Sequence, residues 1–208
     1  MKLVVLLLAF LTLNGCAVGN KIGYHDVDIE FDGKGTSKLA ISTIDLRVYV
    51  RTSEKSPDFV GLQRGGFGNP FDVTTASGKS LAEDITATVK QALEKKGFEV
   101  TSLVASNTDS ISKVVERMDT SDAHRLMIFI LNEWKSDTYT NTALIYNLTL
   151  KIMDNEGKVI TESTINGRDN LGGDFIDPPS HAKQAVPIAF KAKLEQLLNN
   201  KEVLDALM

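Results

Sequence analysis

Apolar and polar positions change rhythm several times along the chain, and each rhythm predicts a different element. Ile44, Leu46, Val48 and Val50 alternate with Asp45, Arg47, Tyr49 and Arg51, the period-2 signature of a strand with one buried face, which predicts a strand over 38–51. Ser80-Leu81-Ala82-Glu83 reads as a capping box. Leu81, Ile85, Val89, Ala92 and Leu93 then share one helical face, and Gly97 supplies a left-handed stop. A strand over 98–104 follows, and a short helix is predicted from Ile111, Val114, Val115 and Met118. Arg125 to Leu131 is almost continuously apolar, as a strand covered on both faces should be, and continues towards Trp134. Leu144, Tyr146, Leu148, Leu150 and Ile152 alternate with polar residues, the turn cluster Asp154-Asn155-Glu156-Gly157 follows, and 158–166 returns as a hairpin partner. A last helix begins near Ser180 and carries Ala182, Ala185, Val186, Ala189, Phe190, Leu194 and Leu197, with Pro187 inside it. The order β-α-β-α-β-β-β-α predicts a single α/β (α+β) domain, a mixed β-sheet with packed helices.

Two stretches lack periodicity. Residues 17–37 are Gly-rich and polar apart from the alternating patch Val27-Asp28-Ile29-Glu30-Phe31, and read as a flexible tether or, at the patch, a short edge strand. Residues 52–78 run on without a pattern, longer than most loops inside compact domains, and such loops tend to be functional or disordered. This segment is the candidate partner-binding loop, with Phe59, Phe67 and Phe71 as its apolar contacts. Gly65-Gly66-Phe67-Gly68-Asn69-Pro70 lies at its centre, a flexible turn presenting Phe67. The segment from Gly167 to Ser180 reads as another loop.

The N-terminus changes the picture. Met1-Lys2 is a short positive start, and Leu3 to Leu13 is apolar except for Thr12. That run is about half of the roughly 20 residues needed to cross a bilayer, and predicts a signal-peptide core. Cys16, the only cysteine in the chain, closes the leader. Leu13-Asn14-Gly15-Cys16 resembles a bacterial lipobox, in which the cysteine is acylated and becomes the new N-terminus; Asn14 stands where Ala, Ser or Thr is usual. Gly15-Cys16-Ala17 also fits ordinary cleavage after Ala17, which would discard the thiol. Under the lipobox reading, 1–15 is a lipoprotein signal peptide, 16–37 a lipid-anchored tether and 38–208 one periplasmic domain. Ala17 rather than Asp after the cysteine points to the outer membrane by the sorting pattern of such lipoproteins.

Charge excludes one class of partner. The chain is mildly acidic, with a formal net charge of −4, and lacks an arginine cluster or basic stripe, which counts against nucleic acid. Gly78-Lys79-Ser80 before a helix resembles the end of a P-loop, but Val73 occupies the position of the required glycine, and the triplet reads as a capped helix start. Asp154 to Gly157 has the wrong spacing for a calcium loop. His25, His124 and His181 are far apart and have no metal spacing. No nucleophile elbow accompanies them. Trp134 with Asp137, Tyr139 and Tyr146 reads as a possible aromatic surface or, more blandly, as packing at the end of a sheet. No catalytic, cofactor-binding or metal-ligating residue is assigned.

The lipobox, "DLRVYVRT" with "VGLQRGG", the helix "LAEDITATVKQALEKKGFEV", the strand "HRLMIFILNEW" and the hairpin "LIYNLTLKIMDNEGKVI" together resemble the YajG-like family of bacterial lipoproteins. The resemblance spans about Lys38 to Leu198, with a longer Gly-rich loop in this chain. It implies a periplasm-facing lipoprotein with no catalytic residues to carry over. The expected function is a non-enzymatic binding or assembly role in the cell envelope, with the lipid bilayer and an envelope protein as partners. Two alternatives stand beside it: an accessory lipoprotein of a secretion, flagellar or transport complex, and a periplasmic hydrolase whose triad assembles in space.

Overall fold

The computed structural model describes residues 19–119 and 122–207. Leader and Cys16 lie outside the described residues.

The fold is built on one long strand, β6 (Arg125–Thr138), whose Arg125-to-Leu131 run is the most apolar in the domain. Its two halves have different neighbours on one edge. β2 (Lys38–Asp45) pairs in parallel with 125–131, and β3 (Phe59–Arg64) pairs in parallel with 136–138. On the other edge β7 (Asn141–Met153) runs antiparallel along almost the whole length, and β8 (Val159–Gly173) runs antiparallel to β7. β5 (Glu99–Ser102) extends the sheet beyond β2, while β4 (Pro70–Thr75) and then β1 (Lys21–Ile22) extend it beyond β3. The result is a single mixed eight-stranded sheet.

Helices cover both faces unequally. α2 (Leu81–Lys95), α4 (Pro178–Leu198) and α5 (Lys201–Leu207) enclose the main core with Leu39, Ile41, Met127, Phe129, Leu131, Trp134 and the inward residues of β7. α3 (Ile111–Asp119) covers a smaller cluster on the opposite face, containing Ala40, Ile44, Leu126, Ile128 and Ile130. Residues 126–131 are thus buried on both sides, which explains their unbroken apolarity. The capping box of α2 is formed: the Ser80 hydroxyl accepts from the Glu83 N–H at 3.2 Å, and the Glu83 carboxylate accepts from the Ser80 N–H at 3.2 Å. Gly97 carries the positive φ, +97°, expected of the stop.

All eight predicted elements are present among the described residues, where five others join them. The strand expected over 38–51 ends at Asp45, because Arg47 turns inward and Val48–Arg51 forms a one-turn helix, α1. The stretch 52–78 is a hairpin, β3–β4, rather than a loop. Its pattern is obscured by a register shift between Phe59 and Gly61, and by Gly61 itself, where an added Cβ would lie 2.1 Å from the Ser136 hydroxyl oxygen. β8 continues to Gly173 through the first half of the expected loop, with a polar surface because β8 is the outer strand. Asp177, not Ser180, caps α4, its carboxylate accepting from the Ser180 N–H at 3.1 Å.

The expected tether is also corrected. Ile22, Tyr24, Ile29 and Phe31 are buried in the main core, so the chain is packed from β1 onwards and the 27–31 patch contributes core side chains rather than a strand. Gly19 approaches β4 so closely that an added Cβ would sit 1.6 Å from the Asp72 carbonyl oxygen. Only glycine fits there.

Candidate functional site

The three phenylalanines of the candidate loop have different fates. Phe59 is core: it lies edge-on to Tyr49, with ring centroids 5.4 Å apart, and does not face a partner. Phe71 is half-buried, folded back against Gly65. Phe67 alone is fully exposed. It sits in the turn between β3 and β4, which is closed by the Gly68 N–H donating to the Gly65 carbonyl at 2.8 Å and the Gly65 N–H donating to the Asn69 carbonyl at 2.9 Å. Gly68 has φ +82°, a conformation natural to glycine.

Phe67 has company that the sequence pattern did not place beside it. β3 runs parallel to β6, so the β3–β4 turn lies at the same end of the sheet as the β6–β7 turn, and the Tyr139 hydroxyl donates to the Gly66 carbonyl at 3.2 Å. β8 ends there too, with the Asp174 N–H donating to the Thr140 carbonyl at 3.1 Å. The next two residues, Phe175 and Ile176, are 91% and 95% exposed. They are displayed by a built turn: the Asp174 carboxylate accepts from the Ile176 N–H at 2.6 Å and from the Asp177 N–H at 3.0 Å. Three adjacent turns therefore present Phe67, Tyr139, Phe175 and Ile176 at one end of the sheet. Two adjacent large apolar residues in the polar run "GGDFIDPP" were the available sequence signal.

The other aromatic candidates divide cleanly. Trp134 is core, its indole N–H donating to the Tyr24 hydroxyl at 3.2 Å, with Phe190 edge-on at 5.5 Å. Tyr146 is buried beneath Lys193, whose ammonium lies 4.2 Å from the ring centroid and donates to the Tyr146 hydroxyl at 2.8 Å. Asp137 pairs with Arg64 through two bonds of 2.7 Å.

A cleft of about 560 Å³ lies elsewhere, at the C-terminal end of β2 beside the first turn of α2. Asp45, Asp58, Lys79, Ser80, Glu83, Ser106 and Asn107 contribute to its walls. Ser80 and Glu83 are committed to the capping box, and Asp45 to Arg47. Arg47 is fully buried in the gap between β2 and β3 and uses its whole guanidinium. Nε and Nη2 donate to the Asp45 carboxylate at 2.9 and 2.7 Å, Nη2 also to the Pro57 carbonyl, and Nη1 to the carbonyls of Phe59 and Trp134. Burial opposes the charge, but Asp45 outweighs it and holds Arg47 above its ordinary pKa. Asp84, also buried, accepts from Ser77 at 2.9 Å with one oxygen and has no partner for the other. Burial raises its pKa.

His25 follows β1, His124 precedes β6 and His181 lies in the first turn of α4, so the structure does not gather them. Among the described residues no group of three His, Cys, Asp or Glu side chains is placed to hold a metal ion, and no helix is long and apolar enough to cross a membrane.

No family model matches the chain, and no curated protein matches it in sequence. Solved structures do match in fold. The protein XCC0632 from Xanthomonas campestris, of the family DUF330, superposes with a TM-score of 0.53 at 12% identity, covering 91% of this chain and 96% of its own. PelC from Paraburkholderia phytofirmans, a dodecamer, gives 0.42 at 14% identity over 84% of this chain and 95% of its own. The C-terminal domain of LpoB from Salmonella enterica gives 0.35 at 13% over 67% and 87%.

Proposed function

We propose that the chain is a bacterial lipoprotein of the YajG-like type, attached through acylated Cys16 to the periplasmic face of the outer membrane. There it acts as a non-enzymatic binding or assembly factor for another envelope protein. The observation that carries this reading is the lone cysteine closing a leader too short to span a bilayer. Ala17 supports the outer membrane over the inner. The displayed apolar end of the sheet supports residence at an envelope surface, since exposed contiguous apolar residues mark protein or membrane contacts. Acylation would make attachment durable: each buried methylene contributes about 0.8 kcal/mol, and a lipoprotein carries two or three chains.

Labelled palmitate should enter the wild type in cells and not Cys16→Ala, and the labelled protein should fractionate with the outer membrane. An unlabelled wild-type protein recovered from the soluble periplasm would overturn the reading. Crosslinking in intact cells then identifies the envelope partner.

A further inference from the structure

Cys16 stands three residues before Gly19, and a trans peptide chain advances at most about 3.6 Å per residue. The anchoring residue can therefore be no more than about 11 Å from Gly19, whatever path the chain takes between them. Gly19 is held by its neighbours. It is pressed against Asp72 near the start of β4. The Asn20 carbonyl accepts from the Thr74 N–H at 3.1 Å, and the Asn20 side-chain amide donates to the Pro179 carbonyl, in the first turn of α4, at 3.0 Å.

Both contacts lie towards the apolar end of the sheet. β4 begins at Pro70, immediately after the turn that carries Phe67, and β1 runs parallel to β4, so the chain upstream of Lys21 heads towards that turn. Pro179 is three residues beyond Ile176. The described chain thus enters the domain between the Phe67 turn and the Phe175-Ile176 turn. A tether of some 20 residues would leave the domain free to tumble; a packed chain from Gly19 does not.

Resting on the lipid-anchor reading above, we infer that the apolar end is a membrane-docking surface: Phe67, Tyr139, Phe175 and Ile176 seat in the headgroup boundary of the bilayer that holds Cys16. The anchor and the apolar side chains act as one attachment, and the orientation of the domain is set. The lipid is zwitterionic in character. Asp174 and Asp177 flank the apolar pair and turn their carboxylates onto backbone N–H groups, so apolar contact leads and anionic headgroups are disfavoured. Short anchors and rigid apolar knobs also limit each other's entropy cost, since the lipid attachment already holds the knobs at the surface. The opposite end of the sheet, with the turn Asp154-Asn155-Glu156-Gly157, then points into the periplasm.

The test uses the full-length lipidated protein in phosphatidylethanolamine–phosphatidylcholine vesicles, the phosphatidylcholine brominated near the headgroup. Trp134 is buried and provides the background. Phe175→Trp should add emission that shifts to the blue on vesicle binding and falls at least about twofold with brominated lipid, as expected for a side chain seated about 5–10 Å into the boundary. Asn155→Trp should add emission that does neither. Palmitate labelling of the same preparation separates the two readings. A labelled protein whose Phe175→Trp emission is unquenched overturns the docking surface and leaves the anchor standing, and an unlabelled wild type overturns the anchor. For a chain beginning at Val18, which carries no lipid, a blue shift without vesicles that grows with protein concentration would show that a second copy covers this end, and would also overturn the docking surface.

Discussion

Arg47 and Phe175 are both on the wrong side of the usual division between inside and outside, and the contrast between their surroundings is instructive. Arg47 is a charge in the interior, yet every donor it has is used within the domain, on Asp45 and on carbonyls of Pro57, Phe59 and Trp134. Phe175, with Ile176 and Phe67, is an apolar group in the open, and the contacts of its turn serve only to display it. The first anomaly is answered inside the molecule and explains the fold: Arg47 stitches β2 and β3, which meet β6 end to end, across the gap between them. The second has no answer inside the molecule and so points to function.

That contrast fails if Arg47 can be lost without cost. Arg47→Ala leaves the Asp45 carboxylate buried and uncompensated, and should destabilise by about 3–5 kcal/mol in urea unfolding; a loss below about 1 kcal/mol would show that Arg47 is not the stitch between β2 and β3. A smaller effect belongs to the boundary of the cleft beside α2. Ser80→Ala removes the cap of α2 and should cost about 1 kcal/mol by the same measurement.

Asp84 sharpens the comparison through pH. Its folded pKa lies above the unfolded one because of burial, so the folded state binds the proton more tightly. The resulting stability is complete below the ordinary carboxylate range and is lost as pH rises through the raised pKa. Asp84→Asn should therefore be more stable than the wild type at neutral pH, with the difference closing as the solution is acidified. A difference independent of pH would show that burial does not shift the Asp84 pKa between the unfolded and folded states. Least of all should the exposed end matter to folding. Phe67→Ser with Phe175→Ser should leave stability within about 0.5 kcal/mol, and a larger loss would make that end structural.

Legibility in the sequence followed how much of each element's environment is local. α2 was readable because its cap, its apolar stripe and its stop are all within the segment, from Ser80 to Gly97. β6 and β7 were readable from their burial. The β3–β4 hairpin was not, since Gly61 is dictated by Ser136 on a distant strand and leaves no pattern of its own. Alternation at 44–50 misled because it continues past the point where Arg47 finds its partners and the chain coils into α1. Phe31 and Tyr24 looked like tether residues because the helix partners that bury them lie at the other end of the chain, as with Phe190 edge-on to Tyr24 at 4.9 Å. Of the apolar end, Phe67 was visible from its glycines. Tyr139 and Phe175 join it only through strand topology.

The most direct measurement is the mass of the N-terminal peptide of the mature protein isolated from membranes. Lipid anchoring predicts a chain beginning at Cys16 with acyl chains on that residue, whereas a chain beginning at Val18 and carrying no lipid would contradict it.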